Sequence, residues 1–334
     1  MKLNGSDIIA EVLIEQGVDT IFGYPGGAVL NIYDALYKYR DKIHHILTAH
    51  EQGASHAADG YARATGKTGV VIATSGPGAT NLVTGIATAY MDSIPMVAIT
   101  GNVGTSYIGK DAFQEVYITG ITMPITKHNF FVSDIKELAP TLREAFKIAN
   151  SGRKGPVLVD IPKDVTAAIT EYEKAAPEVI IDNTVINEDE VKKAAALINK
   201  AKRPVIEIGG GVVSSEASDL VRMLVNKTGA PCCHTLMAAG VLGYSEKLNY
   251  GLVGMHGSFV TNKAIDEADV LVAIGTRFSD RVALNTNRFA HKAKVIQIDI
   301  DLSEIDKNVK VDYALVGDVK TIVMDLLHYV KQSD

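Results

Sequence analysis

The sequence predicts an α/β protein with two domains, each built on a parallel sheet that helices cover. Short apolar runs alternate with segments of helical periodicity in both halves of the 334-residue chain. Most of these runs are continuously apolar, which is typical of strands buried on both faces. A polar stretch that ends at Pro177 interrupts the alternation, and a chain of this length commonly forms two domains. We therefore predict a domain over 1–165, a linker over 166–188 and a second domain over 189–334.

The first predicted domain begins with a helix, because Ile8, Ile9, Val12 and Leu13 recur at the spacing of one helical face. Proline and glycine then mark the ends of apolar strands, as at Pro25. The predicted helices cover 6–16, 31–39, 52–65, 81–92 and 135–151, and the predicted strands cover 20–24, 43–49, 69–74, 96–100 and 156–162.

The second predicted domain shows the same alternation but no clear repeat of the first. Its strands are again short apolar runs, and glycines directly follow two of them, at Gly209 and Gly275. The predicted helices cover 189–200, 215–228, 260–267 and 319–330, and the predicted strands cover 204–208, 229–235, 270–274 and 294–299.

The composition argues against several classes of protein. Hydrophobic residues make up 47% of the chain and charged residues 22%, which predicts a buried core rather than disorder. A net charge of -6 argues against nucleic-acid binding through phosphate neutralisation. No apolar run reaches the ~18 residues of a membrane span. The helical pattern starts near Ser6, so we expect no targeting peptide either.

The cysteines Cys232 and Cys233 are adjacent and cannot form an ordinary structural disulfide, which predicts a reducing, cytoplasmic setting. Together with His234 they suggest a metal site. Metal ligands are usually spaced, as in C-x2-C, so a short buried strand is the favoured interpretation. We predict no metal ligands in this chain.

Ligands of open α/β sheets bind beyond the carboxyl ends of the strands, and several candidate groups of the first domain are predicted there. Glu51 follows one strand, Gly26 and Gly27 follow another, and residues 75–78 follow a third. The 75–78 loop could cradle a phosphate or form a tight turn, and its pattern leaves both open. Glu51 taken alone is more often a surface residue that complements a helix dipole. Combined with its neighbours it becomes a candidate for proton transfer.

A second set of candidates follows the strands of the second domain. Glycines at successive strand ends, with an acid at the end of another strand, suggest a dinucleotide site. The acid would bind ribose hydroxyls, and Arg277 would bind the pyrophosphate. The G-x-G-x-x-G fingerprint is absent, so ordinary turn glycines explain the pattern equally well. The candidates are Gly209, Gly210, Gly211, Met255, His256, Gly257, Gly275, Arg277, Asp299, Ile300 and Asp318.

Together these motifs resemble acetohydroxyacid (acetolactate) synthases, a group of thiamine-diphosphate enzymes. The resemblance extends over the whole chain and implies a pyrimidine-binding domain followed by a central FAD-binding domain. The segments that carry it are Y-P-G-G-A (24–28), H-E-Q-G (50–53), A-T-S-G-P-G-A-T-N (73–81), G-K-D-A-F-Q-E (109–115), I-T-K-H-N (125–129) and V-D-I-P-K-D-V (159–165).

The resemblance implies roles for individual residues. Glu51 would hydrogen-bond N1′ of the cofactor aminopyrimidine and so promote loss of the thiazolium C2 proton. Gly27 and Gln114 would stabilise or position oxygen atoms at the reacting centre, and Phe113 and Lys163 would line the substrate approach. The further implied cofactor contacts are Pro25, Gly26, Ser75, Gly76 and Asn81 for thiamine diphosphate, and Arg153, Thr235 and Leu236, with the second set above, for FAD.

The implied reaction condenses pyruvate with pyruvate or 2-oxobutyrate, with loss of carbon dioxide, in the biosynthesis of valine, leucine and isoleucine. The flavin would be structural, because the net reaction transfers no electrons. Residues 103–107 differ from the family's proline-and-arginine loop, so we expect a different rim of the substrate channel. The Gly-Asp-Gly motif and downstream asparagine that hold diphosphate and Mg²⁺ are absent. We therefore expect the C-terminal domain to be missing and the isolated chain to have little or no activity.

Two other functions remain open. One is another thiamine-diphosphate enzyme with a flavin domain: Glu51 disfavours glyoxylate carboligase, and Phe113, Gln114 and Lys163 favour the synthase over pyruvate oxidase. The other is a non-catalytic flavin- or nucleotide-binding module. The expected partners are 2-oxo acids and further copies of the chain in a homodimer or homotetramer, with a small regulatory subunit left open.

Overall fold

The computed structural model describes residues 1–333 and divides them into two compact units, Met1–Ile180 and the residues from Ile181 onward. Each unit contains a six-stranded sheet in which neighbouring strands run parallel, with helices packed on both faces. The predicted fold class is therefore confirmed. Among the described residues, no helix has the length and apolar character needed to cross a membrane.

The first unit contains the six-stranded sheet and a separate antiparallel pair, β1–β8. Its strands are β1 (Lys2–Asn4), β2 (Thr20–Gly23), β3 (His44–Leu47), β4 (Gly69–Ala73), β5 (Met96–Asn102), β6 (His128–Phe131), β7 (Pro156–Pro162) and β8 (Ile169–Glu171). Its helices are α1 (Gly5–Glu15), α2 (Leu30–Lys38), α3 (Glu51–Thr65), α4 (Pro77–Asn81), α5 (Val83–Asp92), α6 (Ile118–Thr122), α7 (Ile135–Asn150) and α8 (Lys163–Ala167).

The large sheet of the first unit has the order β3-β2-β4-β5-β7-β6. Alternate residues of its central strands point to opposite faces, as the pleat requires. Val70 and Ile72 of β4 pack with α1, α2 and α7, whereas Val71 and Ala73 pack with α3 and α5. Because both faces are covered, β4 is buried along its whole length, which explains its continuously apolar sequence.

The second unit has a sheet of order β11-β10-β9-β12-β13-β14. In chain order this arrangement is 3-2-1-4-5-6, the doubly wound order of many nucleotide-binding proteins. Its strands are β9 (Pro204–Ile208), β10 (Cys232–His234), β11 (Asn249–Leu252), β12 (Val270–Ile274), β13 (Lys294–Asp299) and β14 (Tyr313–Val316). Its helices are α9 (Glu188–Lys200), α10 (Gly210–Ser214), α11 (Ser218–Thr228), α12 (Phe259–Glu267) and α13 (Val319–Tyr329).

The segment predicted as a linker, 166–188, differs from that expectation. Its first residues form the end of α8 and strand β8, which pairs with β1, and Tyr172 is buried. The Glu15 carboxylate accepts hydrogen bonds from the Tyr172 hydroxyl, from Ala175 N at 2.9 Å and from Arg143 Nε at 2.9 Å. The first compact unit therefore extends to Ile180.

We expect Glu15→Ala to lower the free energy of unfolding by about 2 kcal/mol. The substitution leaves a guanidinium, a hydroxyl and a backbone N–H without their shared acceptor in a largely buried place. Urea unfolding followed by circular dichroism measures the change. Glu144→Ala, at an exposed position of α7, is the matched control and should change stability by less than about 0.5 kcal/mol. Equal effects of the two substitutions would contradict the assignment.

Candidate functional site

The first candidate site lies where the strand order of the first sheet reverses. β3 lies on one side of β2, and β4 and the later strands lie on the other. Connections that leave β2 and β4 therefore diverge, which opens a crevice at their carboxyl ends. Residues 24–27 follow β2 and residues 74–76 follow β4, so the two predicted glycine-rich loops border the same crevice.

Thr74 joins these two loops. Its Oγ1 accepts a hydrogen bond from Ala28 N at 3.1 Å. A Cβ added to Gly26 would come within 2.5 Å of the Thr74 side chain, so only glycine fits there. A Cβ on Gly27 would meet nothing within 4 Å, so Gly27 borders open space. Sequence reasoning named both glycines but not the threonine against which Gly26 packs.

Glu51 begins α3 beyond the end of β3 and is only 8% exposed. Its Oε2 accepts a hydrogen bond from Asn81 Nδ2 at 2.9 Å. Its Oε1 would lie 3.2 Å from a Cβ on Gly78, so the missing side chain leaves room beside that oxygen. Burial, with the charge of Glu51, raises the pKa of the neighbouring Tyr33. The structure thus brings together Glu51 and Asn81, which the sequence predicted as separate cofactor contacts.

The 109–115 loop brings Gln114 to the same crevice. A Cβ on Gly76, whose φ is 62°, would come within 2.8 Å of Gln114 Cβ, so the two backbones are packed together. Gln114 itself has φ 60°, a left-handed conformation that is uncommon for a residue with a side chain. The Glu115 carboxylate accepts hydrogen bonds from Gly109 N at 2.5 Å and Ala112 N at 3.0 Å, which hold its pKa below its usual range. Phe113 is 87% exposed.

Three other predicted residues differ in their surroundings. Pro25 is exposed, whereas the Ser75 side chain is buried behind the loop. Lys163 is exposed at the start of α8, after β7. Because β5 separates β7 from β4, Lys163 lies at the same edge of the sheet but about 10 Å across it from the crevice.

A buried carboxyl that the sequence analysis did not single out forms hydrogen bonds between β7 and β5, near the carboxyl ends of these strands. Asp160 of β7 accepts hydrogen bonds from Thr100 Oγ1 at 2.7 Å and Asn102 Nδ2 at 2.6 Å. Burial raises its pKa to about 6. Asn102 Oδ1 in turn accepts from Val103 N at 2.7 Å, so Asp160 fixes the start of the segment that leads to Gln114.

The second candidate site lies at the order reversal of the second sheet, between β9 and β12. Residues 209–211 follow β9, and Gly275 follows β12. A Cβ on Gly211 would come within 2.6 Å of Gly275 Cα, and Gly211 N donates to Gly275 O at 3.1 Å. The two loops therefore cross backbone against backbone, which explains these glycines as more than turn formers. Such a crevice is the usual nucleotide position of a doubly wound sheet.

The remaining predicted residues of the second unit all follow carboxyl ends of strands in this sheet. Asp299, at the end of β13, is 7% exposed, and its Oδ1 accepts from Asp301 N at 3.0 Å. Asp318 caps α13 by accepting from Lys320 N at 2.8 Å. The others are Thr235 and Leu236 after β10, Met255, His256 and Gly257 after β11, Arg277 after β12 and Ile300 after β13.

Arg153 differs from the rest of the predicted flavin set because it belongs to the first unit. There its Nε donates to Ser93 Oγ at 2.8 Å.

Within the second unit, a cavity of about 470 Å³ lies at the opposite edge of the sheet, where strands begin, and is lined by Arg203, Pro204 and Pro231. It contains none of the predicted site residues, so we assign the candidate site to the crevice at the carboxyl edge.

The cysteines lie in a strand, as predicted. Cys232 and Cys233 belong to β10, are buried and unbridged, and have pKa values that burial raises. Within the part of the chain that the structure describes, no group of three or more His, Cys, Asp or Glu residues is placed to hold a metal ion.

Comparison with known proteins identifies the two units. Residues 3–121 match the thiamine pyrophosphate enzyme N-terminal TPP binding domain, and residues 191–326 match the central domain of the same enzymes. The chain is 51% identical to the "Probable acetolactate synthase large subunit" of Methanocaldococcus jannaschii, over 97% of this chain and 56% of that protein. It is 51% identical to the acetolactate synthase of Mycobacterium bovis, over 98% and 53% respectively. It is 47% identical to the acetolactate synthase large subunit of Corynebacterium glutamicum, over 99% and 53%.

The chain therefore spans a little over half the length of these relatives. The matched ranges fall in separate compact units, and each includes a crevice at a strand-order reversal. The chain belongs to the thiamine pyrophosphate enzyme family, as a relative of acetolactate synthase large subunits that carries the N-terminal and central domains.

Proposed function

We propose that this chain is part of an acetolactate synthase catalytic subunit and binds the pyrimidine half of thiamine diphosphate and a flavin. The reaction would join two 2-oxo acids, pyruvate with pyruvate or 2-oxobutyrate, with loss of carbon dioxide, in branched-chain amino-acid biosynthesis. The observation that supports the proposal most strongly is the hydrogen-bonded pair of buried Glu51 and half-buried Asn81 beside Gly78, at the carboxyl edge of the first sheet. The names of the relatives supply the reaction class.

Glu51 would act through the oxygen that Asn81 leaves available. Oε2 is held by Asn81, whereas Oε1 faces the space beside Gly78. A protonated ring nitrogen at Oε1 would form a charge-assisted hydrogen bond, which is strong where water is largely excluded. Bound thiamine diphosphate would supply the nucleophilic carbon and the electron sink of the reaction. The carboxylate's part is to hold the proton on that nitrogen.

The other predicted residues would orient the substrates. Gly27 borders open space, so a substrate oxygen could approach its backbone closely. Gln114 is fixed by its packing against Gly76 and by the hydrogen bonds of Glu115. Phe113 and Lys163 are exposed and would line the approach of the 2-oxo acids. Pro25, Gly26, Ser75 and Gly76 would border the pyrimidine.

The second unit would bind FAD in an extended conformation across its carboxyl edge. The crossing of Gly211 and Gly275 supports this, because it leaves bare backbone at the strand-order reversal. Asp299 would face the ribose, and Arg277 the pyrophosphate. Since the proposed net reaction transfers no electrons, the flavin would have a structural role.

We expect Gly211→Ala to weaken FAD binding by at least about tenfold, because the new methyl group would collide with the Gly275 backbone. Gly210→Ala is the matched comparison: its Cβ would meet only the flexible Met237 side chain, at 3.1 Å, and should have a smaller effect. Titration of flavin fluorescence measures both affinities. Equal losses in the two variants would contradict the packing argument.

The rest of the cofactor site and the partners are also proposals. Because the chain spans about half the length of its relatives, we propose that residues beyond these 334 hold the diphosphate and Mg²⁺. We further propose a homodimer or homotetramer. Relatives named large subunits suggest a smaller regulatory partner as well.

The deciding experiment is an assay of acetolactate formation from pyruvate, with thiamine diphosphate, Mg²⁺ and FAD supplied. The polypeptide that the gene encodes is compared with one limited to residues 1–334. We expect activity from the first if it includes the remaining cofactor site, and little or none from the second. Steady turnover by residues 1–334 alone would contradict the division of the site. Flavin binding without turnover by a longer polypeptide that includes the remaining cofactor site would favour a non-catalytic flavin module.

A further inference from the structure

A buried carboxyl lies directly beneath the glycine crossing of the second unit. Glu207 is the fourth residue of β9, in the run P-V-I-E-I, and is 0% exposed. It lies opposite Ala273 of β12, which in turn lies opposite Gln297 of β13. Residues in one row of a parallel sheet point to the same face, so Glu207 and Gln297 flank Ala273 on one side of the sheet.

Both side chains bind the same residue above them. Glu207 Oε1 accepts a hydrogen bond from Thr276 Oγ1 at 2.8 Å, and Gln297 Nε2 donates to Thr276 O at 3.2 Å. Thr276 is itself buried. Thr276 stands between Gly275 and Arg277. Gly275 has φ 60°, and its backbone packs against that of Gly211. Hydrogen bonds from two strands, β9 and β13, therefore fix the loop that borders the crevice.

Packing alone does not explain a carboxyl at this position. The neighbours on this face include Val205, Cys233, Leu271 and Val295, so an apolar residue would fit the surroundings. One Glu207 oxygen, Oε2, has no hydrogen-bond partner among the described residues, and neither has Gln297 Oε1. Leaving buried polar atoms unpaired costs stability, so the two side chains weaken the sheet while they fix the loop.

We propose that Glu207 is a positioning residue of the nucleotide site: through Thr276 it sets the conformation of the Gly275–Arg277 loop that receives the dinucleotide. This inference rests on the proposed binding of FAD. It adds a residue that contacts no ligand yet determines affinity, and it predicts that the protonation state of Glu207 changes that affinity. A charged carboxylate beneath the loop would repel a pyrophosphate, whereas a neutral carboxyl would not.

The titratable groups nearest to Glu207 along the row remain neutral. Cys233 of β10 lies opposite Glu207 in this row, and the preceding Cys232 points to the other face of the sheet. Burial raises the pKa of both thiols, and the charge of Glu207 adds to the effect. Thr276 and Gln297 do not titrate. Burial raises the pKa of Glu207 to about 7, so its charge changes within an accessible pH range.

The test is a titration of flavin fluorescence with FAD at pH 6, 7 and 8, using the polypeptide that the gene encodes. Wild-type affinity should fall severalfold from pH 6 to pH 8, whereas Glu207→Gln should show a flat profile. Thr276→Val, which loses the hydroxyl, should bind about tenfold more weakly at every pH. Thr276→Ser, which keeps the hydroxyl, should bind like the wild type. Circular dichroism identifies any variant that is unfolded, and Glu267→Gln, at a half-exposed position of α12, is the control.

The outcomes separate the two proposals. If the wild type binds FAD and all variants share its affinity and pH profile, Glu207 is only a packing residue and the inference is wrong. If Glu207→Gln changes the melting temperature alone, the inference is equally wrong. If the wild type does not bind FAD at any of these pH values, the proposed flavin function fails and the inference fails with it.

Discussion

Glu51→Gln should lower kcat for acetolactate formation by about 10²- to 10⁴-fold, the usual contribution of a positioned acid–base group. Glutamine preserves the size of the side chain and can still accept from Asn81 Nδ2 through its carbonyl oxygen. It has no negative charge with which to stabilise a protonated ring nitrogen, and its amide group would present hydrogens instead. The change therefore removes the charge while leaving the packing of α3 intact. The measurement is steady-state kinetics with pyruvate, using the polypeptide that the gene encodes.

Glu137→Gln provides the control for this experiment. Glu137 also lies in the first turn of a helix, α7, but it is exposed. Its replacement should leave kcat unchanged. Asn81→Ala should give an intermediate loss of about tenfold, because it frees Oε2 without removing the charge. If Glu51→Gln kept full activity with unchanged cofactor affinity, Glu51 would be no more than a buried helix-start residue.

The second large effect is expected in the pH dependence of stability. Burial raises the pKa of Glu207 to about 7 from an ordinary value of 4.5. The folded state therefore holds a proton that the unfolded state releases between those values. This contribution to stability is complete below pH 4.5 and is lost as the pH rises through 7. At pH 8 the buried charge costs about 3 kcal/mol relative to the neutral carboxyl.

Glu207→Gln should therefore be more stable than the wild type at pH 8, by up to about 3 kcal/mol, and the difference should shrink to about 1 kcal/mol or less at pH 5. Urea unfolding at pH 5, 6, 7 and 8 measures the difference. Asp160, whose pKa burial raises to about 6, titrates in an overlapping range in the first unit. The contribution of Asp160 is present in both proteins and cancels in the difference. A difference between the two proteins that stays constant with pH would show that Glu207 does not titrate in this range.

Central strands were predictable from the sequence, whereas of the four edge strands of the two large sheets only β3 was. The bounds of β7, β9, β12 and β13 match their predictions, because strands covered on both faces leave a continuously apolar run. The edge strands β6, β11 and β14 were missed because partial exposure interrupts their apolar residues. The predicted helix 81–92 is instead two helices, α4 and α5, since the turn after Ser75 is already helical.

Site residues that belong to a recognisable sequence motif were predictable. Residues whose role depends on a partner distant in sequence were not. Glu51 and Gly26 stand in recognisable segments, so the sequence indicated them. Thr74 and Thr276 act through partners that are distant in sequence, and only the fold brings those partners together. Glu207 did leave a signal, a single acidic residue inside an otherwise apolar strand, which a search for charged residues in buried strands would find.

The antiparallel pair β1–β8 joins the beginning of the first unit to a segment near its end. The amino group of Met1 donates to Tyr172 O at 2.8 Å, so the first residues of this unit lie beside residues 169–172. Tension transmitted along the chain from residue 181 would load β8 and the Glu15 cluster before it reached α3, which begins with Glu51. Rupture of the β1–β8 pair would therefore precede any change in the geometry around Glu51.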